Sequence, residues 1–365
     1  MDSYDVVVVG GGHNALVAAT YLAKAGLSAL VVEKLDHVGG AAVSAAPFAG
    51  VPARLSRFSY LVSLLPDRIA TDLGLRLELR SRAASSYTPV ADGGLLVERV
   101  PGPATVASFR ELTGSDAAWS SWQRWYASLD SLAGVLAPTM LEPLVSSAEF
   151  ARLAGELWSP VFEQPLGVTL EELFPDDVVR GVVATDGLIG THTSLKSPDL
   201  AANRCFLYHV IGNGTGEWRV PVGGMGAVTA ELLRVAVAAG VEIVTGAPVT
   251  RVSVDGTAGS VVFGEREVTA RFVLSGVAPA VLDSLRGKEV VSRGEGCQLK
   301  VNMLLTHLPR LRSGVPAELA FAGTFHLDES YAQLESAYAE SAAGEVPSVL
   351  PGEMYCHSLT DPSIL

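Results

Sequence analysis

The chain opens on an uninterrupted apolar run, Tyr4–Val9 (YDVVVV), without polar alternation, which predicts a strand buried on both faces as in a parallel sheet. Gly10-Gly11-Gly12 follows at once, and Leu16, Ala19, Leu22 and Ala23 then recur at helical spacing up to a closing Gly26. A second apolar strand, Leu27–Val32, ends at Glu33. Beyond the turn clusters Asp92-Gly93-Gly94 and Pro101-Gly102-Pro103, the segments 104–112 and 115–140 have helical periodicity. The second carries Trp119, Trp122, Trp125, Leu129 and Leu132 along one side, a stripe read as helix core rather than as a ligand box. A further helical piece is expected near 170–174, past Pro160 and Pro165. The pattern then repeats: strand Trp218–Val222, turn Gly223–Gly226, helix Ala227–Ala239 ended by Gly240, and strand Val241–Val244. Alternation over Thr250–Val254 and Val261–Phe263 around Asp255-Gly256 predicts a hairpin, and Phe272–Ser275 a returning strand.

Strands alternating with helices define an α/β fold with a parallel sheet. The expected organisation is a nucleotide-binding domain whose first segment is 1–95, a largely helical substrate or cap region inserted over 96–214, a second nucleotide-binding segment over 215–290, and the beginning of a substrate-domain sheet over 291–365.

Composition narrows the function. The 365 residues are 48% apolar and only 18% charged, enough for a large core, and the net charge of −13 without any basic run argues against nucleic acid as a partner. Cys205, Cys297 and Cys356 are far apart, so no redox pair or thiolate zinc knuckle is read, and the scattered histidines form no HExxH; no metal set is assigned. The N-terminus has no signal-peptide pattern, and no apolar run reaches the roughly 18 residues of a membrane span. A soluble, cytoplasmic protein is expected, with peripheral membrane contact left open. There is no nucleophile elbow, no P-loop and no Cys–His catalytic signature.

The chemistry lies in the first forty residues. Gly10-Gly11-Gly12-His13-Asn14-Ala15 reads G-x-G-x-x-A: Gly10 permits the turn, Gly12 lets backbone approach a pyrophosphate, and Ala15 lets helix and strand pack closely. The helix N-terminus supplies amides and the positive dipole end. Glu33, 23 residues beyond Gly10, is placed to accept a ribose hydroxyl and would repel the extra phosphate of NADP. His13 could contact the cofactor, but a solvent-facing or capping role is favoured, since the turn amides already satisfy a phosphate. Val38-Gly39-Gly40-Ala41 adds a second glycine pair, through which backbone can pass close to a diphosphate and ribityl chain.

The spacing from Glu33 to Gly39-Gly40 resembles the extended FAD fingerprint shared by amine oxidases and phytoene desaturases. Four further stretches resemble the phytoene desaturase-related oxidoreductases, also grouped as carotenoid and retinoid oxidoreductases: 58–66 (FSYLVSLLP), 186–191 (DGLIGT), 222–226 (VGGMG) and 356–363 (CHSLTDPS). Within them the chain is most similar to the pyridine nucleotide-disulfide oxidoreductase domain-containing protein 2 branch. The resemblance implies a Rossmann-like FAD-binding domain with an inserted, partly helical substrate domain. It implies FAD held by Gly10, Gly11, Gly12, His13, Asn14, Ala15, Glu33, Lys34, Gly39, Gly40 and Ala41, with Val249 against the adenine and residues 56–60 near the flavin. The activity implied is transfer of a hydride equivalent from an apolar polyene, retinoid or lipid-like substrate, as desaturation or isomerisation. Ser56-Arg57 stand where phytoene desaturases usually carry an acid, a departure bearing on carotenoid desaturation itself. No residue is assigned a catalytic role. Gly223–Gly226 reads equally as a helix-start turn or as a contact to FAD or substrate. The family extends past the position of Leu365, so a missing C-terminal segment or a complementing chain is expected. A flavin-binding regulatory or scaffold protein is the alternative of another class; an NAD-dependent dehydrogenase is disfavoured by Gly39-Gly40.

Overall fold

A computed structural model of the chain describes residues 2–291, 296 and 298–365. The first half runs β1 (Ser3–Val9), α1 (His13–Lys24), β2 (Ala29–Val32), the short strands β3 (Ser44–Ala45) and β4 (Leu55–Ser56), α2 (Asp67–Leu73), β5 (Leu79–Arg80), β6 (Ala84–Val90) and β7 (Gly93–Glu98). Six helices follow: α3 (Pro103–Thr113), α4 (Ala117–Thr139), α5 (Ser147–Ala154), α6 (Leu166–Leu173), α7 (Asp177–Ala184) and α8 (Ala201–Ile211). The chain then forms β8 (Val220–Pro221), α9 (Met225–Ala238), β9 (Glu242–Val244), β10 (Val249–Val254), β11 (Gly259–Phe263), β12 (Arg266–Ser275) and α10 (Pro279–Leu285). It ends with α11 (Ala317–Ala320), β13 (Thr324–Leu327), α12 (Tyr331–Ala342) and β14 (Gly352–Tyr355).

The main sheet has the order β10-β11-β12-β1-β2-β9, with β12, β1, β2 and β9 parallel and β10 to β12 antiparallel. The four valines of β1 explain its central place. Val6 and Val8 face a cluster with Leu16 and Ala19 of α1 and Val228 and Leu232 of α9, while Val7 and Val9 face Leu30, Val252, Val261 and Phe263. Both faces are covered, so an unbroken apolar run is stable there. The result is a Rossmann-like α/β domain.

Its edge hairpin is closed by Asp255, whose side chain accepts hydrogen bonds from the Thr257 and Ala258 amides and the Thr257 hydroxyl, each at 2.8 Å. The Ala258 and Thr257 amides hold its carboxyl down at about 2. A carboxyl below its unfolded value of about 3.9 stabilises the fold above that value and loses the effect as pH falls toward about 2. Asp255→Ala is therefore expected to lower stability at neutral pH. The gap to the parent should narrow in urea titrations repeated below about pH 4.

A second sheet, ordered β14-β13-β6-β7, corrects the expected organisation. The boundary at 95 falls inside β7, because the Asp92-Gly93-Gly94 signal is a hairpin turn: Val90 pairs with Gly93. Residues 84–98 thus leave the nucleotide sheet and join β13 and β14 from the C-terminal region. Several element bounds also shift, most of all at two strands: Trp218–Val222 contracts to β8, and Phe272–Ser275 is only the end of the ten-residue β12, whose first half pairs with β11.

The helical region has its own core. Trp122, Trp125, Leu129 and Leu132 of α4 are buried against Phe109, Phe174, Val179 and Phe206, with Trp119 half-buried at the margin. The tryptophan stripe of the sequence is this core.

Candidate functional site

The glycine turn joins β1 to α1. Gly10 has φ +93, and a Cβ there would lie 2.8 Å from the Val277 side chain, so the turn accepts only glycine. Gly12 differs: at φ −67 it caps α1 with no side chain bonded to the helix start, and a Cβ would meet nothing nearer than Gly40 Cα at 4.0 Å. Gly39 is pinned to the turn by its amide, which donates to Gly11 O at 2.8 Å, and by the bridge to Gly12. Gly12 and Gly40 thus lie against each other, a Cβ on Gly40 coming within 3.1 Å of Gly12 Cα, and together present a side-chain-free cradle of backbone at an open helix N-terminus.

Glu33 lies at the end of β2, buried, with Oε2 accepting from the Gly11 amide at 2.7 Å and Oε1 from the Leu35 amide at 2.9 Å. Each oxygen keeps a free lone pair for a further donor such as a ribose hydroxyl. The acid therefore also braces the glycine turn, a role that spacing alone does not reveal. Around it, His13 is half-buried with Nδ1 enclosed and unpartnered, Asn14, Lys34 and Ala41 are exposed, and Ala15 packs inside the α1–α9 cluster. Val249 opens β10 and packs under β1 and β2. It lies two residues past Ala247, whose amide donates to Glu33 O at 2.9 Å. The sequence-selected residues are thus gathered at one end of the main sheet, with the Lys34 side chain turned to solvent. An uncapped helix start, a glycine cradle and a buried unpartnered imidazole nitrogen fit a dinucleotide.

The adjoining wall leads to a second feature. Ser59 Oγ donates to Ala41 O at 2.7 Å, and Arg57 N to Val43 O at 2.9 Å, so residues 56–60 lie along the segment that follows Gly39-Gly40. Ser56, Ser59 and Tyr60 border a cavity of about 1930 Å³. All four resemblance stretches contribute to its lining, among them Phe58, Asp186, Gly224 and His357. Leu61, Leu188 and Ile189 form an apolar wall, with the buried Trp122 and Leu129 of α4 behind it. The start of α9, by contrast, is satisfied by protein: Gly223 N donates to Asp361 Oδ2 at 2.7 Å, Met225 N to Ser56 Oγ at 3.0 Å and Gly226 N to Ser44 Oγ at 2.9 Å. These bonds favour the helix-start reading of Gly223–Gly226.

The cavity's polar end holds groups that sequence reading missed. Arg82 Nη1 donates to Thr324 Oγ1 at 3.0 Å and its guanidinium lies over the Tyr355 ring. The Tyr355 hydroxyl donates to Glu353 Oε2, and the Tyr355 ring stands 4.7 Å from that of Tyr60 and stacks on His357. Burial pushes the carboxyls of Asp186, Glu329 and Glu353 up, with Arg82 opposing at Asp186 and Glu353. Burial and the Arg82 charge hold His326 and His357 at about 4, as neutral rings. Lys300 donates to Ser56 O and Phe58 O, both at 2.8 Å, and burial lowers its ammonium to about 8. On α8, Cys205 and His209 stand one turn apart: burial opposes protonation of His209, but the Cys205 side chain and carbonyl and Asp186 raise it to about 9. Cys205 and Cys356 are free thiols, and Cys297 lies outside the described residues. The i, i+4 spacing of Cys205 and His209 was readable; the convergence of Arg82, Glu329, Glu353 and Tyr355 depends on pairing across the second sheet and had no local signal.

The NAD(P)-binding Rossmann-like domain family matches residues 8–67. The uncharacterized protein Rv0897c of Mycobacterium tuberculosis is 46% identical over 99% of this chain and 70% of its own length. Pyridine nucleotide-disulfide oxidoreductase domain-containing protein 2 of Mus musculus is 31% identical over 76% of this chain and 54% of its own. Among solved structures, putrescine oxidase superposes with TM-score 0.53 at 22% identity, over 78% of this chain and 61% of that one, a likeness of fold. The chain spans about 60% of that oxidase and about half of the mouse protein. Among the described residues no helix is long and apolar enough to cross a membrane.

Proposed function

The chain belongs to the family of Mycobacterium tuberculosis Rv0897c, and we propose that it is an FAD-dependent oxidoreductase of the phytoene desaturase-related group, acting on an apolar polyene, retinoid or lipid-like substrate by desaturation or isomerisation. The observation that carries this reading is the Gly12–Gly40 cradle at the uncapped start of α1, joined through residues 56–60 to a large cavity with an apolar wall. FAD, when bound, supplies a two-electron acceptor for a C–H bond.

The chain's own residues do the rest. The amides at the start of α1 bind the diphosphate, Glu33 accepts from the ribose, and Gly39-Gly40 let backbone lie close to it. Leu61, Leu188 and Ile189 offer apolar surface to a hydrocarbon chain. At the other end Arg82 and Tyr355 orient a polar group of the substrate, beside the neutral rings of His326 and His357.

Anaerobic titration tests the substrate class. Polyenes, retinoids or acyl chains are expected to bleach the visible flavin absorption of the purified protein if they are desaturated, and to be converted to an isomer with the flavin left oxidised if they are isomerised. Bleaching by small amines or amino acids, with neither change for any of these, would overturn it. Glu33→Ala is expected to weaken FAD binding to apo-protein by about 1.5–3 kcal/mol, the range for hydrogen bonds to a charged group, as read by fluorescence titration.

A further inference from the structure

We propose that His326 Nε2 and the carboxylates of Glu329 and Glu353 form a site for one divalent cation of the zinc, manganese or iron(II) class, open to the cavity. The three groups offer ligand atoms that all lie within 4.8 Å of one another, and all three residues border the cavity.

The backbone builds this convergence. His326 and Glu353 are directly opposed in the antiparallel register of β13 and β14, which puts their side chains on one face of the sheet. Asp328, at φ +51, then turns the chain after β13 and brings Glu329 back to the same place. Glu329 Oε2 stands 3.9 Å from His326 Nε2. Tetrahedral ligands at bonds of about 2.1 Å sit about 3.4 Å apart, so the pair must close by only about half an ångström.

Two features distinguish this cluster from an ordinary group of acids. Glu329 is 6% exposed, and its Oε2 is enclosed with no hydrogen-bond partner, so a buried acceptor faces the gap between the three groups unsatisfied. The other two ligands already have the outer partners that metal ligands need. His326 Nδ1 is 2.7 Å from Thr88 Oγ1, which leaves Nε2 as the free ring nitrogen, and the Tyr355 hydroxyl donates to Glu353. Arg82 and His209 both face Asp186 and Glu353, whereas Glu329 has the like charges of Glu353 and Asp186 beside it. A bound dication would offset that repulsion. One imidazole among carboxylates suits zinc, manganese or iron(II) better than magnesium or calcium, which favour all-oxygen shells. Sequence spacing concealed the set, because Glu353 lies 27 positions beyond His326.

The test is equilibrium dialysis of the chelator-stripped chain against Zn²⁺ and, separately, Mn²⁺. One ion per chain is expected, with Thr88→Val weakening it roughly tenfold as an outer-partner loss and His326→Gln or Glu329→Gln weakening it further. The exposed acid variant Glu318→Gln should bind as the parent does. Circular dichroism establishes that each variant is folded, and zinc-edge X-ray absorption of the parent gives a readout independent of any variant, expected to show one imidazole with oxygen donors. No saturable binding, binding unchanged in both His326→Gln and Glu329→Gln, or a shell without imidazole would overturn the site.

Discussion

Gly12→Val is expected to give a folded chain that carries no flavin. The two halves of that result have separate causes. Gly12 has an ordinary backbone conformation, and a Cβ placed on it meets no atom closer than 4.0 Å, so the first carbon of a side chain fits the β1–α1 turn. The space a valine would fill is the cradle facing Gly40, where a pyrophosphate must come within hydrogen-bond distance of the α1 amides. Gly10→Val makes the informative comparison. Its φ of +93 and the 2.8 Å approach of Val277 mean that it damages the fold itself. Flavin content and thermal unfolding, measured on both variants, should therefore separate: Gly12→Val loses cofactor at near-parental stability of the apo-protein, and Gly10→Val loses both. Equal flavin content in the parent and Gly12→Val would remove the turn from the binding site.

The second large effect lies in the helical region, where the same substitution should act with opposite sign at two glycines. A Cβ on Gly181 of α7 would stand 2.1 Å from Glu329 O and 2.7 Å from Tyr331 N, contacts with backbone that no rotamer change relieves. Gly181→Ala is expected to cost about 3 kcal/mol or more, at the upper end of overpacking penalties. It would also push Glu329 away from His326. Gly134 of α4 is exposed, and a Cβ there meets nothing within 4 Å. Gly134→Ala should stabilise the chain by about 1 kcal/mol, the helix-propensity difference between the two residues. Denaturant titration of both variants reads this directly. A Gly181→Ala chain as stable as the parent would mean that α7 does not pack on the Glu329–Tyr331 segment as described.

The nucleotide-binding half was legible in the sequence because its signals are local. An apolar run, a glycine turn, a helical stripe and an acid follow one another within 33 residues, and each maps onto an element of the main sheet or its first helix. The tryptophan stripe of α4 was legible for the same reason, since helical periodicity reports which face is buried. The second sheet was not. Its strands come from residues 84–98 and from 324–355, and the turn at Asp92–Gly94 looks the same whether it ends a domain or closes a hairpin. The polar end of the cavity depends on that sheet: Arg82 precedes β6, His326 is in β13 and Glu353 in β14, and nothing in their spacing announces that pairing will bring them together. The bracing of the glycine turn by Glu33 was hidden for a related reason, because its bond to the Gly11 amide is a tertiary contact between two strand ends.

The most direct test is to release and identify what the purified chain carries in its glycine cradle. The protein is denatured, the supernatant is resolved by chromatography, and the nucleotide is quantified against the protein. FAD at close to one equivalent per chain, and its absence from Gly12→Val, is the predicted result. NAD(H) in its place, or no nucleotide even after reconstitution with excess FAD, would contradict it.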